Sequence, residues 1–286
     1  MIVKKTRNES VITVNDIPLI DMHTHTDNSQ DGHHSAMYMA EKAEEKGVRT
    51  LAFTDHCEVD YYYSRGFARR TVQSFFEISK ARLAFAGRLE ILRGIELAQP
   101  HYEPELAEQI LAAQPYDVVI GSIHNLRGRE DFYDWTKEEY ENPPYEDTMN
   151  AYFDEIIAMI EWGNIDVVAH ITYPFRYLYN IYGITEDAAR YRDKVDALLE
   201  LCAKKDKALE INMGGLKYPI HAPSPDPQTV KRFHELGGKL ISVGSDSHYA
   251  ERIGNGIPEA YEIAREAGFK SVVKFVNRQP VEVPIV

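Results

Sequence analysis

The chain has 286 residues, 44% of them hydrophobic and 27% charged, proportions that exclude disorder and collagen-like repeats and allow a large core. Its 32 Lys and Arg against 45 Asp and Glu give a net charge of −13, a field that repels nucleic acid and favours a small substrate or an internal metal cluster. No run of 18 apolar residues marks a membrane span, MIVKKTRNES has no apolar signal core, and Cys57 and Cys202 support neither a disulfide framework nor a thiolate zinc site. A cytoplasmic protein without membrane or nucleic-acid partners is expected.

One domain is expected over residues 1–286, with 1–17 as an N-terminal extension, 18–250 as the core that carries the site, and 251–286 as a closing segment. In chain order, apolar runs at Leu19–Asp21, Thr50–Phe53, Ile91–Glu96, Val118–Ser122, Asp166–Ala169, Ala208–Ile211 and Lys239–Val243 predict seven strands. Between them, Ser35–Lys46, Thr71–Ala86, Asp147–Trp162 and Thr229–Leu236 predict helices, each closed by a glycine. Ser271–Phe275 reads either as an eighth strand or as a terminal apolar plug. Continuous rather than alternating apolar runs belong to strands covered on both faces by crossover helices, which predicts an α/β parallel barrel of TIM-like type. An open doubly wound sheet is the alternative.

Six of these runs lead into residues that bind metals: Asp21-Met22-His23-Thr24-His25, Thr54-Asp55-His56, Gly94-Ile95-Glu96, Gly121-Ser122-Ile123-His124, Val168-Ala169-His170 and Ser245-Asp246-Ser247-His248. In a barrel all such ends converge on one face, so scattered positions become one constellation. His23 and His25 are two apart on a strand and project from the same face, and Asp246 and His248 repeat the spacing. With Asp31, His56, Glu96, His124 and His170 the candidates number nine, more than one ion takes. Glu96 could bridge neighbouring cations.

These residues resemble the PHP (polymerase and histidinol phosphatase) superfamily, whose four motifs match DMHTHT, TDH, the HN and AH strand ends, and SDSH between Asp21 and His248. Chain length, the lack of an attached polymerase domain and Asp31 in SQDGHHS make the sequence most similar to the histidinol-phosphate phosphatase branch. The resemblance implies a distorted (β/α)7 barrel with a trinuclear site of divalent zinc, manganese or iron. His23, His25, Glu96 and Asp246 would hold one ion, Glu96, His124 and His170 a second, and Asp31, His56 and His248 a third. Of these, Glu96, His25 and Asp246 would be catalytic. The implied reaction is hydrolysis of a small phosphate monoester, L-histidinol phosphate, in histidine biosynthesis: paired ions supply hydroxide at neutral pH, a third withdraws charge from phosphate, and water attacks phosphorus in line.

Around this core, Asp21 and Asp55 read as carboxylates that orient ligand imidazoles or as turn residues. The loop Tyr61–Arg70 reads as a lid or as an amphipathic cover, and Tyr62, Arg65, Arg127 and Arg176 are candidate substrate-binding residues. His33 and His34 could replace Asp31, His101 and His221 could line the pocket, and His234 reads as helix surface. Competing functions are a phosphoesterase for a nucleotide, sugar phosphate or phosphotyrosine, an amidohydrolase, and a non-catalytic metal-binding module. An amidohydrolase would place a lysine on a mid-barrel strand end, where this chain offers Glu96, and a degenerate module would lack ligands that are all present here.

Overall fold

A computed structural model describes residues 17–285. The extension expected at 1–17 therefore lies, except for Ile17, outside the described residues. Ten strands follow in chain order: β1 (Leu19–Thr24), β2 (Val48–Phe53), β3 (His56–Glu58), β4 (Glu90–Ala98), β5 (Val118–Ser122), β6 (Val167–Val168), β7 (Ala208–Asn212), β8 (Ile241–Gly244), β9 (Ser271–Val276) and β10 (Gln279–Pro284). The nine α-helices among the described residues are α1 (Ala36–Glu45), α2 (Phe67–Ala84), α3 (Pro104–Ala113), α4 (Lys137–Glu141), α5 (Tyr145–Trp162), α6 (Tyr173–Tyr182), α7 (Arg192–Lys204), α8 (Pro227–Glu235) and α9 (Ile257–Ala267).

Seven strands pair in parallel in the order β1-β2-β4-β5-β6-β7-β8, with the short β3 added beside β4. All five residues of β5 and of β7 are buried, as continuous apolar runs require. The ring closes at its C-terminal end, where Asp246 N donates to His23 O and His25 N donates to Ser247 O, both at 2.9 Å. The result is a nearly closed (β/α)7 barrel rather than an open doubly wound sheet. None of the helices in the described residues is long and apolar enough to cross a membrane.

Ser271–Phe275 forms a strand, but not an eighth stave of the barrel. β9 and β10 make a separate antiparallel hairpin. Its turn lies against residues that precede β5 and β6, at the end opposite the candidate ligands. There Arg278 N donates to Asp117 O at 2.8 Å and the Arg278 guanidinium pairs with Asp166. Helix α2 also differs from expectation: it starts at Phe67, behind Gly66 at φ +77°, so half of the expected Tyr61–Arg70 lid belongs to a helix and its approach.

Candidate metal centre

Strand direction brings the nine candidate ligands together. His23 is on β1 and His25 just beyond it, His56 opens β3, Glu96 is on β4, and His124, His170, Asp246 and His248 lie within four residues of the ends of β5, β6 and β8. Two of them sit where L-residues are rare, His170 at φ +22° and Asp246 at φ +52°. Each is held by its backbone: His170 N donates to Glu210 Oε2 at 3.0 Å, and Asp246 N to His23 O. Gly244 permits the close pass of β8 behind His23, since a Cβ there would lie 2.3 Å from His23 Cβ.

Four of the imidazoles share one arrangement. Nδ1 of His23 donates to Glu210 at 2.6 Å, of His25 to the Ser29 hydroxyl at 3.1 Å, of His124 to Glu58 at 2.9 Å, and of His248 to the Asp246 carbonyl at 3.0 Å. These partners assign the proton to Nδ1 and leave each Nε2 lone pair free for an electrophile. His56 is reversed, with Nδ1 at 2.8 Å from Glu96 Oε2 and Nε2 at 3.5 Å from Asp31.

Four inward atoms, His23 Nε2, His25 Nε2, His56 Nδ1 and Glu96 Oε2, are buried without any hydrogen-bond partner. Ligands on one tetrahedral ion with bonds near 2.1 Å stand about 3.4 Å apart. His23 and His25 Nε2 lie 3.2 and 3.5 Å from Glu96 Oε2, and 3.9 and 3.3 Å from Asp246 Oδ1. On the other Glu96 oxygen, His124 and His170 Nε2 lie at 3.0 and 2.9 Å. Asp31 is 3.0 Å from His248 and 3.5 Å from His56, whose Nε2 atoms are 3.4 Å apart. These separations are those of ligands sharing a metal ion, with the two oxygens of Glu96 each facing a different set of imidazoles. Burial disfavours charge on Glu96, yet His56, His23 and His124 outweigh it and hold that carboxyl well below its usual range. Such a nest of carboxylates demands positive charge, and the donor set of imidazole and carboxylate fits divalent transition metals.

A cavity of about 680 Å³ opens over this cluster. Arg176, buried on α6, lines it, with Nη1 at 3.6 Å from Asp246 Oδ2 and Nη2 without a partner. Arg65 also lines it, stacked on Tyr61 and ion-paired with Glu130. Of the other expected substrate-binding residues, Tyr62 packs on the hydrophobic core and Arg127 lies 4.1 Å from the Tyr102 ring centroid, and neither lines the cavity. His33 stacks on Tyr249 and His34 Nδ1 accepts from Ala250 N, so neither replaces Asp31. His101 pairs with Glu155 and His221 with the Leu216 carbonyl, away from the cavity lining; His234 is exposed on α8.

Asp21 does not orient an imidazole. It accepts from Ser245 N, Ser245 Oγ and Gly254 N, and so ties the loop after β8 to β1. Asp55 acts at one remove, accepting from Ser29 Oγ, which receives His25 Nδ1. The direct supports are Glu58 and Glu210, both absent from the sequence reading. Glu210 carried a signal: it is the one charged residue of the apolar run Ala208–Ile211. Lys217, in the turn after β7, is a further unforeseen cation on the cavity wall.

The PHP domain family model matches residues 21–214. A protein named "Probable histidinol-phosphatase" from Clostridium acetobutylicum is 29% identical over 256 residues, which cover 89% of this chain and 96% of that protein. A histidinol-phosphatase of Lactococcus lactis subsp. lactis is 27% identical over 268 residues, covering 90% of this chain and 94% of that one. The crystal structure of histidinol phosphate phosphatase from Lactococcus lactis, complexed with zinc, L-histidinol and phosphate, superposes with a TM-score of 0.77 at 24% identity over 92% of this chain and 98% of that one, which establishes the common fold.

Proposed function

Since the chain belongs to the PHP domain family, we infer that it is a phosphoric monoester hydrolase that converts L-histidinol phosphate to L-histidinol and phosphate with divalent metal ions. The metal-dependent part rests on one observation above all: four buried, unpartnered atoms of His23, His25, His56 and Glu96 facing one another at ligand spacing. The substrate follows from relatives of that name aligned over nine tenths of the chain.

We read three ion positions, held by His23, His25, Glu96 and Asp246, by Glu96, His124 and His170, and by Asp31, His56 and His248. Zinc, manganese and iron all suit this donor set. When bound, such ions lower the pKa of water into the neutral range and withdraw charge from phosphate oxygens. The protein's own part is positioning. Glu96 offers a separate oxygen to each of two groups, so it fixes their spacing. Glu210, Glu58 and Ser29 lock ring orientation and tautomer in advance, so little reorganisation remains when substrate arrives. Arg176 supplies a buried donor without a protein partner, suited to a phosphate oxygen, and Lys217 adds positive charge on the same wall.

Chelation followed by an assay of phosphate release tests the reading. Activity on histidinol phosphate should vanish with the metal and return with zinc, manganese or ferrous iron, and the refilled protein should hold more than one equivalent per chain. Full turnover by metal-free protein would refute metal dependence; one equivalent or fewer would refute three positions.

A further inference from the structure

The cavity over the metal centre has walls of opposite charge. Arg176 and Lys217 line it at the Asp246 end, where Arg176 Nη1 is 3.6 Å from Asp246 Oδ2. Asp131 and Asp134 line it at the His124 end, because the turn they bracket folds back so that Phe132 N donates to His124 O at 2.9 Å. The adjoining Glu130 is neutralised by Arg65. Neither Asp131 nor Asp134 has an ion-pair partner among the described residues, whereas Glu58 is engaged by His124 and Gln99, and Asp31 by His56 and His248.

Asp131 differs from Asp134 in being half-buried rather than exposed. Both its protein hydrogen bonds fall on Oδ1, from Tyr133 N at 2.8 Å and from the Tyr173 hydroxyl at 2.9 Å, so Oδ2 has no donor among the described residues. Burial raises this carboxyl to about 6, with His124, Tyr133 and Tyr173 only partly offsetting it. A carboxylate withdrawn from water is costly unless a cation pairs with it, and none of the described residues stands within ion-pair distance of this one.

We propose that Asp131 is a specificity-determining residue that pairs with the ammonium group on the alcohol portion of the substrate, while the phosphate lies towards Arg176 and the metal centre. This rests on the reading of the protein as a phosphatase for L-histidinol phosphate, whose ammonium stands two carbons from the ester oxygen. The opposed walls fix which way such a zwitterionic ester enters. They also explain how a cavity built to attract phosphate can discriminate against esters that lack a positive charge.

The test compares kcat/KM for L-histidinol phosphate with that for 3-(imidazol-4-yl)propyl phosphate, which lacks only the amine. The metal-loaded native enzyme should prefer the amine by about tenfold to a hundredfold, the worth of one charge-assisted hydrogen bond. In Asp131→Asn that ratio should fall towards one, and in Asp131→Glu it should partly recover. Asparagine caps the following turn as well as aspartate does, so the variant removes charge and little else. A native ratio near one, or a ratio unchanged in Asp131→Asn, overturns the proposal while leaving the phosphatase reading intact. Should the native enzyme hydrolyse neither imidazolyl ester, the histidinol phosphate reading fails, and the ratio of 2-aminoethyl phosphate to ethyl phosphate, native against variant, decides the role of Asp131 by the same criterion. If Asp131→Asn does not fold, inhibition of native nitrophenyl phosphate turnover decides: L-histidinol should inhibit at least tenfold more strongly than its deaminated alcohol, and equal inhibition overturns the proposal.

Discussion

Glu96 is fully buried and stands between the imidazoles of His23, His25 and His56 on one oxygen and those of His124 and His170 on the other. A neutral amide has the same shape but cannot balance two cations. Glu96→Gln should lower kcat by roughly two to three orders of magnitude, and near-normal turnover with metals retained would remove Glu96 from this role. Glu210 acts one step further out, through His23 Nδ1. Glu210→Gln should weaken metal affinity by about ten- to a hundredfold, measured by competition with a chelator, because the ring loses the carboxylate that fixes its tautomer. Unchanged affinity would mean that β1 alone orients His23. At this scale the sequence revealed types better than partners. Histidines at strand ends announce themselves, since their positions relative to the strands are local. Which carboxylate each ring faces depends on β7 lying beside β8 and β6, a long-range fact, so the sequence does not point to Glu210 and leaves Asp21 open between an orienting carboxylate and the turn residue it proves to be. Arg127 and Tyr62 lie off the cavity lining for a related reason: long side chains fold onto whichever aromatic ring or core surface lies within reach.

The elements were legible where burial alone shapes them. The seven apolar runs became the seven paired strands because each is covered on both faces. What the sequence leaves unmarked, the first turn of α2 and the whole of α6, has no side-chain cap. Helix α2 begins after Gly66, with no side-chain cap to mark it, and α6 follows immediately on His170 with Pro174 in its first turn. Yet α6 carries Arg176 and Tyr173, so the substrate side of the cavity was the least readable part of the site. β8 passes β1 closely at Gly244, where a Cβ would lie 2.3 Å from that of His23. Gly244→Ala would force the strands apart, at about 1–3 kcal/mol for overpacking, and should lower both Tm and metal content together. A variant with native Tm and full metal content would show that the barrel closes with slack there.

Across the whole molecule, function and stability occupy opposite ends of the barrel. The β9–β10 hairpin caps the far end through Arg278, which pairs with Asp166 and reaches Asn164 O at 3.1 Å. Removing the guanidinium leaves the mostly buried Asp166 carboxylate without its cation. Arg278→Ala should therefore cost about 2 kcal/mol, seen as a lower Tm, while kcat/KM stays within about twofold of native. A drop in kcat/KM at full occupancy of folded protein would mean that the hairpin couples to the site.

On this reading the barrel's metal centre serves one small phosphate ester that carries an ammonium group. The net charge of −13 and the half-buried Asp131 both set the cavity against polyanions. The most direct measurement is kcat/KM of the metal-loaded protein for L-histidinol phosphate beside nucleoside monophosphates and phosphotyrosine under identical conditions. Histidinol phosphate should exceed the others by at least about tenfold; a reversed order, or no histidinol phosphate turnover with metals fully loaded, would contradict the account.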